Sequence, residues 1–409
     1  MNYSATEGSV SCRLALVILA AISLAGCGGG GSDSPTATAT ATQAITAPTV
    51  VATPSSVTQA LTISFATPAN YAAPVLPNYY RDAAVLASDN TPPGDPVTDK
   101  VATLGRVLFY DKNLSVNGTV SCASCHQQPG GFSDPNRFSV GFSGAAFTSA
   151  HSMRLANIRY FRPGTAFWDR RAASVEDQAS QPIQNSIEMG FDSAHGGLTS
   201  LFSKLTSVAY YPALFTFAYG DSAITELRIQ RALAQFERSM VSTNSRWDTG
   251  YATTFNPALP DRGLSLALPN LTAEENQGRA LFMAGPNAGG AGCAACHVPP
   301  TFALAANSRS NGLDAGETTV FKSPSLKSVA QSSFFMHDGR FSTLAQVVEH
   351  YNSGVQAGPA LDNRLTGPGG APRLLNLTSV EKAALVAFLA TLNDPVLASD
   401  EKFSSPFRP

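Results

Sequence analysis

One short pattern occurs twice in this chain and limits what it can become. Gly105-Arg106-Val107-Leu108-Phe109 runs into Cys122-Ala123-Ser124-Cys125-His126, and Gly278-Arg279-Ala280-Leu281-Phe282 runs into Cys293-Ala294-Ala295-Cys296-His297. The offsets from glycine to first cysteine are 122 − 105 = 17 and 293 − 278 = 15. A helix leading into a Cys-x-x-Cys-His site is therefore duplicated, which predicts two related domains. Two cysteines three apart on a helical turn reach both vinyl groups of one haem, and the adjacent histidine then stands beneath the iron as proximal ligand. A thioredoxin-like dithiol needs a surrounding βαβ pattern, which is absent. A four-cysteine zinc site leaves two identically placed histidines without a role. The pattern predicts two covalently bound haem c groups, one on Cys122, Cys125 and His126, the other on Cys293, Cys296 and His297.

The remaining sequence fits an exported redox protein. Asp plus Glu is 29 and Lys plus Arg is 27, so the surface lacks the excess of cations that a nucleic-acid binder needs. Arg13 precedes an apolar run from Leu14 to Leu24 that is too short to span a bilayer, and the run ends in Leu24-Ala25-Gly26-Cys27. This resembles a bacterial lipoprotein signal over residues 1–26, with Cys27 as the acylated first residue of the mature chain. The expected location is the periplasm, lipid-anchored at Cys27. The outer membrane is favoured because Gly28, not an aspartate, follows that cysteine. Residues 27–70, rich in Gly, Ser, Thr, Ala and Pro, read as a flexible tether. Beyond it Ile229, Leu233, Phe236 and Met240 repeat at helical spacing, as do Leu385, Leu389 and Leu392. Thr272 with Glu275, Thr343 with Gln346 and Thr378 with Glu381 form helix-opening capping boxes. The fold class is mainly α: two cytochrome c-like haem domains in tandem, over residues 71–255 and 256–409.

Further motifs carry a resemblance. Phe167-Trp168-Asp169-Arg170-Arg171-Ala172, Glu176-Asp177-Gln178, and Pro182 through Glu188-Met189 resemble the bacterial di-haem cytochrome c peroxidase family. So do Ser323-Pro324-Ser325-Leu326-Lys327-Ser328-Val329 and Phe335-Met336-His337-Asp338-Gly339-Arg340-Phe341. That family includes the peroxidases proper and the MauG group, which uses peroxide to oxidise residues of a partner protein. The resemblance implies that the N-terminal haem meets peroxide, with Gln178 and Glu188 on its distal side. A carboxyl there moves a proton from the inner to the outer peroxide oxygen. It also implies that Trp168 lies between the haems and passes electrons or holes. Arg170 stands where the family commonly has glycine, and the sequence gives no reason for it.

Two departures from the family pattern inform the mechanism. Peroxidases proper cap the resting N-terminal haem with a histidine in the loop after the first motif; here the matching residue is Phe142, which cannot ligate iron. His151 or His195 could substitute; otherwise the haem is open at rest. His151 also stands where relatives with a calcium ion between the domains have an asparagine, which puts that ion in question. The second departure is at the C-terminal haem, where peroxidases proper supply a distal methionine fourteen residues after the histidine of His-Asp-Gly. Here 337 + 14 = 351, a tyrosine, and Tyr at this position is the MauG pattern. Leu344, Val347, Val348 and Tyr351 share one apolar helical stripe, while His350 falls with Thr343 and Gln346 on the polar side. The expected enzyme therefore reacts with hydrogen peroxide and takes electrons from a redox protein donor or a protein substrate. The alternatives are an ordinary peroxidase supplied by a small cytochrome or copper protein, and a non-catalytic di-haem electron carrier.

Overall fold

The computed structural model describes residues 51–409. The expected export signal, Cys27 and the expected tether as far as residue 50 lie outside the described residues. The helices that frame the two halves include α1 (Asp99–Tyr110), α2 (Val175–Ala179), α3 (Tyr211–Tyr219), α4 (Glu226–Ser239), α5 (Arg246–Thr254), α6 (Ala273–Met283), α7 (Leu344–Glu349) and α8 (Ser379–Ala390). The sheet content among the described residues is one antiparallel pair, β1 (His297–Val298) with β2 (Ala303–Leu304).

The repeated glycine explains how each half is built. Glycine inside a helix costs about 1 kcal/mol relative to alanine, so its presence in both copies needs a reason. A Cβ on Gly105 would stand 1.9 Å from the Ala232 carbonyl oxygen, and one on Gly278 would stand 1.8 Å from that of Ala384. Thus α1 crosses α4, and α6 crosses α8, backbone against backbone. The arginine that follows is buried in both copies and ties a loop to the helix, a distant one for Arg106 and a nearby one for Arg279. Arg106 donates to the carbonyls of Ser404 and Glu401, and Arg279 to those of Leu264 and Ser265. The three capping boxes read from sequence are all present, opening α6, α7 and α8.

Two apolar cores result. One gathers Leu104, Leu108, Phe109, Phe132, Leu214 and Phe236; the other gathers Trp247, Phe282, Phe302, Leu385 and Phe388. They do not follow the expected cut between residues 255 and 256. Tyr79, Tyr80, Tyr160, Trp247 and Tyr251 belong to the second core, while Leu397 and Phe403 belong to the first. Segments have crossed over in both directions.

The expected tether is also too long. Val57, Leu61 and Phe65 are buried in the first core, and Phe65 stacks on Phe217 with centroids 4.1 Å apart. Three apolar residues among Ser, Thr and Ala suffice, since burying each contributes about 1.5–3 kcal/mol. This stretch also clasps the C-terminal tail: Thr62 N–H donates to the Pro406 carbonyl (2.8 Å), and Arg408 N–H to that of Ala60 (2.9 Å).

Candidate active site: two cysteine–histidine chambers

Ser121 and Ser124 close a capping box around the single turn Cys122–Cys125, which sets both thiols on one side. His126 follows, and its Nδ1–H donates to the Phe132 carbonyl (3.0 Å), leaving Nε2 as the free ligating nitrogen. In the second copy a short turn, Cys293–Ala295, leads into β1, so that His297 is fixed by pairing with Leu304. His297 Nδ1 is buried without a partner. Burial pulls this imidazole down to about 4, so it is neutral, the form that binds a metal. Burial raises all four thiols, Cys125 to about 11 and Cys293 to about 12. A redox dithiol needs the opposite shift.

The C-terminal chamber is a cavity of about 410 Å³. Cys293, Cys296, His297 and Tyr351 line it, with Leu344, Val347 and Val348 beside the tyrosine. The α7 helix ends at Glu349 and continues as a π-helical turn, His350–Gly354, a form of local irregularity often found at functional sites. His350 does not line the cavity. It also does not lie on a polar face, as its spacing suggested: it is buried against Phe341 and Tyr351, with Nε2 bonded to the Asn311 carbonyl (3.1 Å). The chamber fits a haem in its charges too. Arg154 and Arg373 line it, each with a buried Nε that has no partner, and Arg154 meets only Ser332 and Ser325. Two propionates are the complement such cations lack.

The N-terminal chamber differs. Glu188 lies in a pocket of about 320 Å³ with Phe167, Arg171, Gln181 and Pro182. It is near enough to Cys122 and Cys125 to raise both thiols. Burial raises Glu188 above the usual carboxylate range, against the pull of Arg171. Gln178 is not among the lining residues; it sits half-buried on α2, one turn before Gln181. Phe142 N–H bonds the carbonyls of Ile187 and Glu188, which ties the expected capping loop to the Glu188 loop. Neither alternative cap lines this pocket. His195 is exposed and bonded to Asp192 (2.7 Å). His151 lines the other cavity, with its ring nitrogens on Ser133 Oγ and the Arg137 carbonyl. Both of its ring nitrogens are thus engaged, and among the described residues no group of three or more His, Cys, Asp or Glu side chains is placed to hold a metal ion.

Trp168 lines the C-terminal cavity, while Phe167 and Arg171 on either side of it line the Glu188 pocket. The indole N–H donates to the His151 carbonyl (2.7 Å), and His151 N–H donates to the His337 carbonyl (2.8 Å). Arg170 now has a reason. It occupies a left-handed turn (φ 60°) that favours glycine, and its guanidinium reaches the Ser308 carbonyl in the other half (3.0 Å).

The backbone also reveals a second duplication. Residues 166–172 and 335–341 form the same closed turn, bridged Ala166 to Ala172 and Phe335 to Phe341. Phe167 and Met336 both have positive φ, as do Arg170 and Gly339. In each turn the arginine pairs with the aspartate two residues before it, and Ser174 or Thr343 then caps a helix. Trp168 is thus the counterpart of His337. Counting on, 351 − 337 = 14 and 182 − 168 = 14, so Pro182 is the counterpart of Tyr351. The shared Asp-x-Arg pattern, followed a few residues later by a Ser or Thr cap, is the sequence signal of this repeat.

Two Cys-x-x-Cys-His motifs on equivalent helix crossings, the second lining a cavity with Tyr351 and the first close to the Glu188 pocket, define a tandem c-type cytochrome. Residues 99–254 match the family of di-haem cytochrome c peroxidases. The MauG methylamine utilization protein of Methylorubrum extorquens is 32% identical over 317 residues, 74% of this chain and 80% of that one. The cytochrome c551 peroxidase of Nitrosomonas europaea is 29% identical over 278 residues, 62% of this chain and 73% of that one. A crystal structure of a MauG-like protein associated with microbial copper homeostasis superposes with a TM-score of 0.61 at 28% identity, covering 78% of this chain and 96% of that one. The chain belongs to the di-haem cytochrome c peroxidase family, in its MauG-like branch. It is an oxidoreductase acting on peroxide, with two haem c cofactors.

Proposed function

We propose that the N-terminal chamber reacts with hydrogen peroxide while the C-terminal chamber takes electrons from a protein, in the manner of MauG. One observation carries this reading: at matching positions of the duplicated turn, Tyr351 faces one chamber and Pro182, which has no ligating atom, lies in the other beside Glu188. Cys122, Cys125 and His126 would hold the first haem; Cys293, Cys296, His297 and Tyr351 would hold the second. When bound, the two haems supply iron that peroxide oxidises and that exchanges electrons between sites.

The chain's own residues set the rest. Glu188, raised by burial, holds a proton closer to neutral pH than an exposed carboxyl does and can shuttle it between peroxide oxygens. Gln181 in the pocket wall offers an amide on the same side, and Gln178, one turn before it, lies outside the lining. Trp168, whose neighbours wall one chamber while its indole walls the other, connects them. Tyr351 supplies an anionic oxygen when its proton is displaced, and such a donor favours the higher oxidation states of iron. The electron source would be a redox protein, or a protein whose residues are oxidised. The enzyme would work in the periplasm, anchored through acylated Cys27.

Optical and EPR spectra of the fully oxidised protein test the reading. It expects one high-spin and one low-spin haem, and reaction with peroxide without prior reduction. Inertness until half-reduction would instead indicate an ordinary peroxidase, and two low-spin haems inert under all conditions an electron carrier.

A further inference from the structure

One buried cluster plays no part in the chemistry of either chamber. Asp111, which caps the C-terminus of α1, is 4% exposed and has no cation within ion-pair distance among the described residues. Its Oδ2 accepts from two neighbouring phenols, Tyr210 at 2.6 Å and Tyr211 at 2.7 Å. The two rings lie 4.9 Å apart between centroids. Tyr211, at the start of α3, is wholly buried in the core against which Cys122 packs, and the Cys122 sulfur is close enough to bear on its phenol electrostatically. Tyr210 is 9% exposed, and its hydroxyl also receives Asn113 Nδ2 (3.3 Å).

Satisfying a buried carboxylate needs no pair of oxidisable rings. Threonine, serine or a backbone amide would do it. A buried anion hydrogen-bonded to a phenol is, however, the arrangement that lets tyrosine lose an electron and a proton together. Proton transfer removes the charge on Asp111, whose burial is costly. Both phenols are raised far above their ordinary value by burial and by Asp111, so they rest protonated and begin as donors.

We propose that Tyr211, Asp111 and Tyr210 form a second outlet for oxidising equivalents, leading from the N-terminal haem to the protein surface without passing through Trp168. The proposal rests on the reading that this haem is the one that reacts with peroxide. In the first step Tyr211 gives one electron to the peroxide-oxidised site and its hydroxyl proton to Asp111 Oδ2, leaving a neutral tyrosyl radical. In the second, Tyr210 gives an electron to that radical and its proton to Asp111, while the first proton returns to Tyr211. The second step moves the hole from Tyr211 to Tyr210 without changing the charge of the trio; the electron has gone to the oxidised site and one proton remains on Asp111. A one-electron reductant such as a phenol then gives an electron to the Tyr210 radical, the proton held on Asp111 returns to the Tyr210 oxygen, and the oxidised phenol releases its own proton to solvent. The outlet would serve bulky organic donors such as phenols, or discharge the enzyme when its protein partner is absent.

Freeze-quenched EPR of the di-haem protein, grown with ring-deuterated tyrosine and mixed with hydrogen peroxide, tests this, with optical spectra followed in parallel. The expected result is an organic radical whose hyperfine width collapses on deuteration. It should be lost in Tyr211→Phe and in Asp111→Asn, yet kept in Trp168→Phe. Tyr210→Phe should keep the radical on Tyr211 but lose its rapid quenching by added phenol. Thermal melting of each variant checks that the fold persists, and Asp111→Asn keeps a hydrogen-bond acceptor while removing the base. If the haem spectrum responds to peroxide but no deuterium-sensitive radical forms, or the radical survives in Tyr211→Phe, the outlet is overturned while the proposed function stands. If the haem spectrum does not respond, both fall together.

Discussion

Tyr351 and His350 are adjacent in sequence, yet only the tyrosine lines the chamber. Replacing Tyr351 with Phe should therefore convert the second haem from low to high spin, whereas His350→Ala should leave its spectrum unchanged. EPR of the two oxidised variants gives the answer, and a high-spin conversion in His350→Ala alone would reverse the assignment. In the other chamber Glu188→Gln keeps size and hydrogen bonding but removes the transferable proton. The rate of reaction with peroxide should fall by about 10²–10⁴-fold, the usual contribution of a general acid–base group, with the haem spectrum intact. Stopped-flow mixing measures it. Several of these residues are legible in the amino-acid sequence because their identity is set locally. Counting fourteen residues from His337 finds Tyr351, and helical periodicity turns it inward. Arg170 is not legible there, because its reason is the Ser308 carbonyl, 138 residues away. His350 is misplaced by a strict α-helical wheel, which does not anticipate a π-turn that begins at that residue.

At the scale of elements, the glycines of the repeat are where sequence and packing agree most closely. Gly278→Ala would press a methyl group into the Ala384 carbonyl and against Phe388. Over-packing of this kind costs typically 1–3 kcal/mol, and a backbone obstacle cannot rotate away, so about 3 kcal/mol is expected. Gly94→Ala, with nothing within 4 Å of the added carbon, should be close to neutral. Urea unfolding of the two variants separates them, and equal midpoints would contradict the close crossing. The capping boxes and both crossing helices can be read from sequence for the same reason: each is coded within about a dozen residues. The crossover of Tyr79, Tyr80 and Leu397 between cores cannot, since a hydrophobic residue does not announce which core will take it.

Between the two halves of the molecule lies a buried pair of opposite type. Glu237 on α4 is 5% exposed, its Oε2 has no partner, and burial pushes it up to about 8. Lys322, from the C-terminal half, is 3% exposed and pulled down to about 8. Arg238 beside Glu237 is already held by Glu176. In the unfolded chain Glu237 releases its proton near the ordinary 4.5, whereas the folded protein keeps it until about 8. Across that window the folded state binds more protons, so this residue makes stability fall as pH rises. Glu237→Gln should flatten the decline, and melting temperatures recorded from pH 5 to pH 8 would show it. An unchanged slope would mean that Glu237 is ionised in the fold.

The tail that completes the first core also governs when that core can exist. Gln128, two residues past His126, is held by the carbonyls of Leu397 and Asp400, and Tyr110 and Arg106 are held by Phe403, Glu401 and Ser404. Those partners leave the ribosome long after the motif they brace, since 397 − 125 = 272 residues separate them. While the chain is being made, the braces beside the Cys122 motif are missing. A haem attached to Cys122 and Cys125 at that stage would meet an open half-shell, which the last stretch of polypeptide would complete.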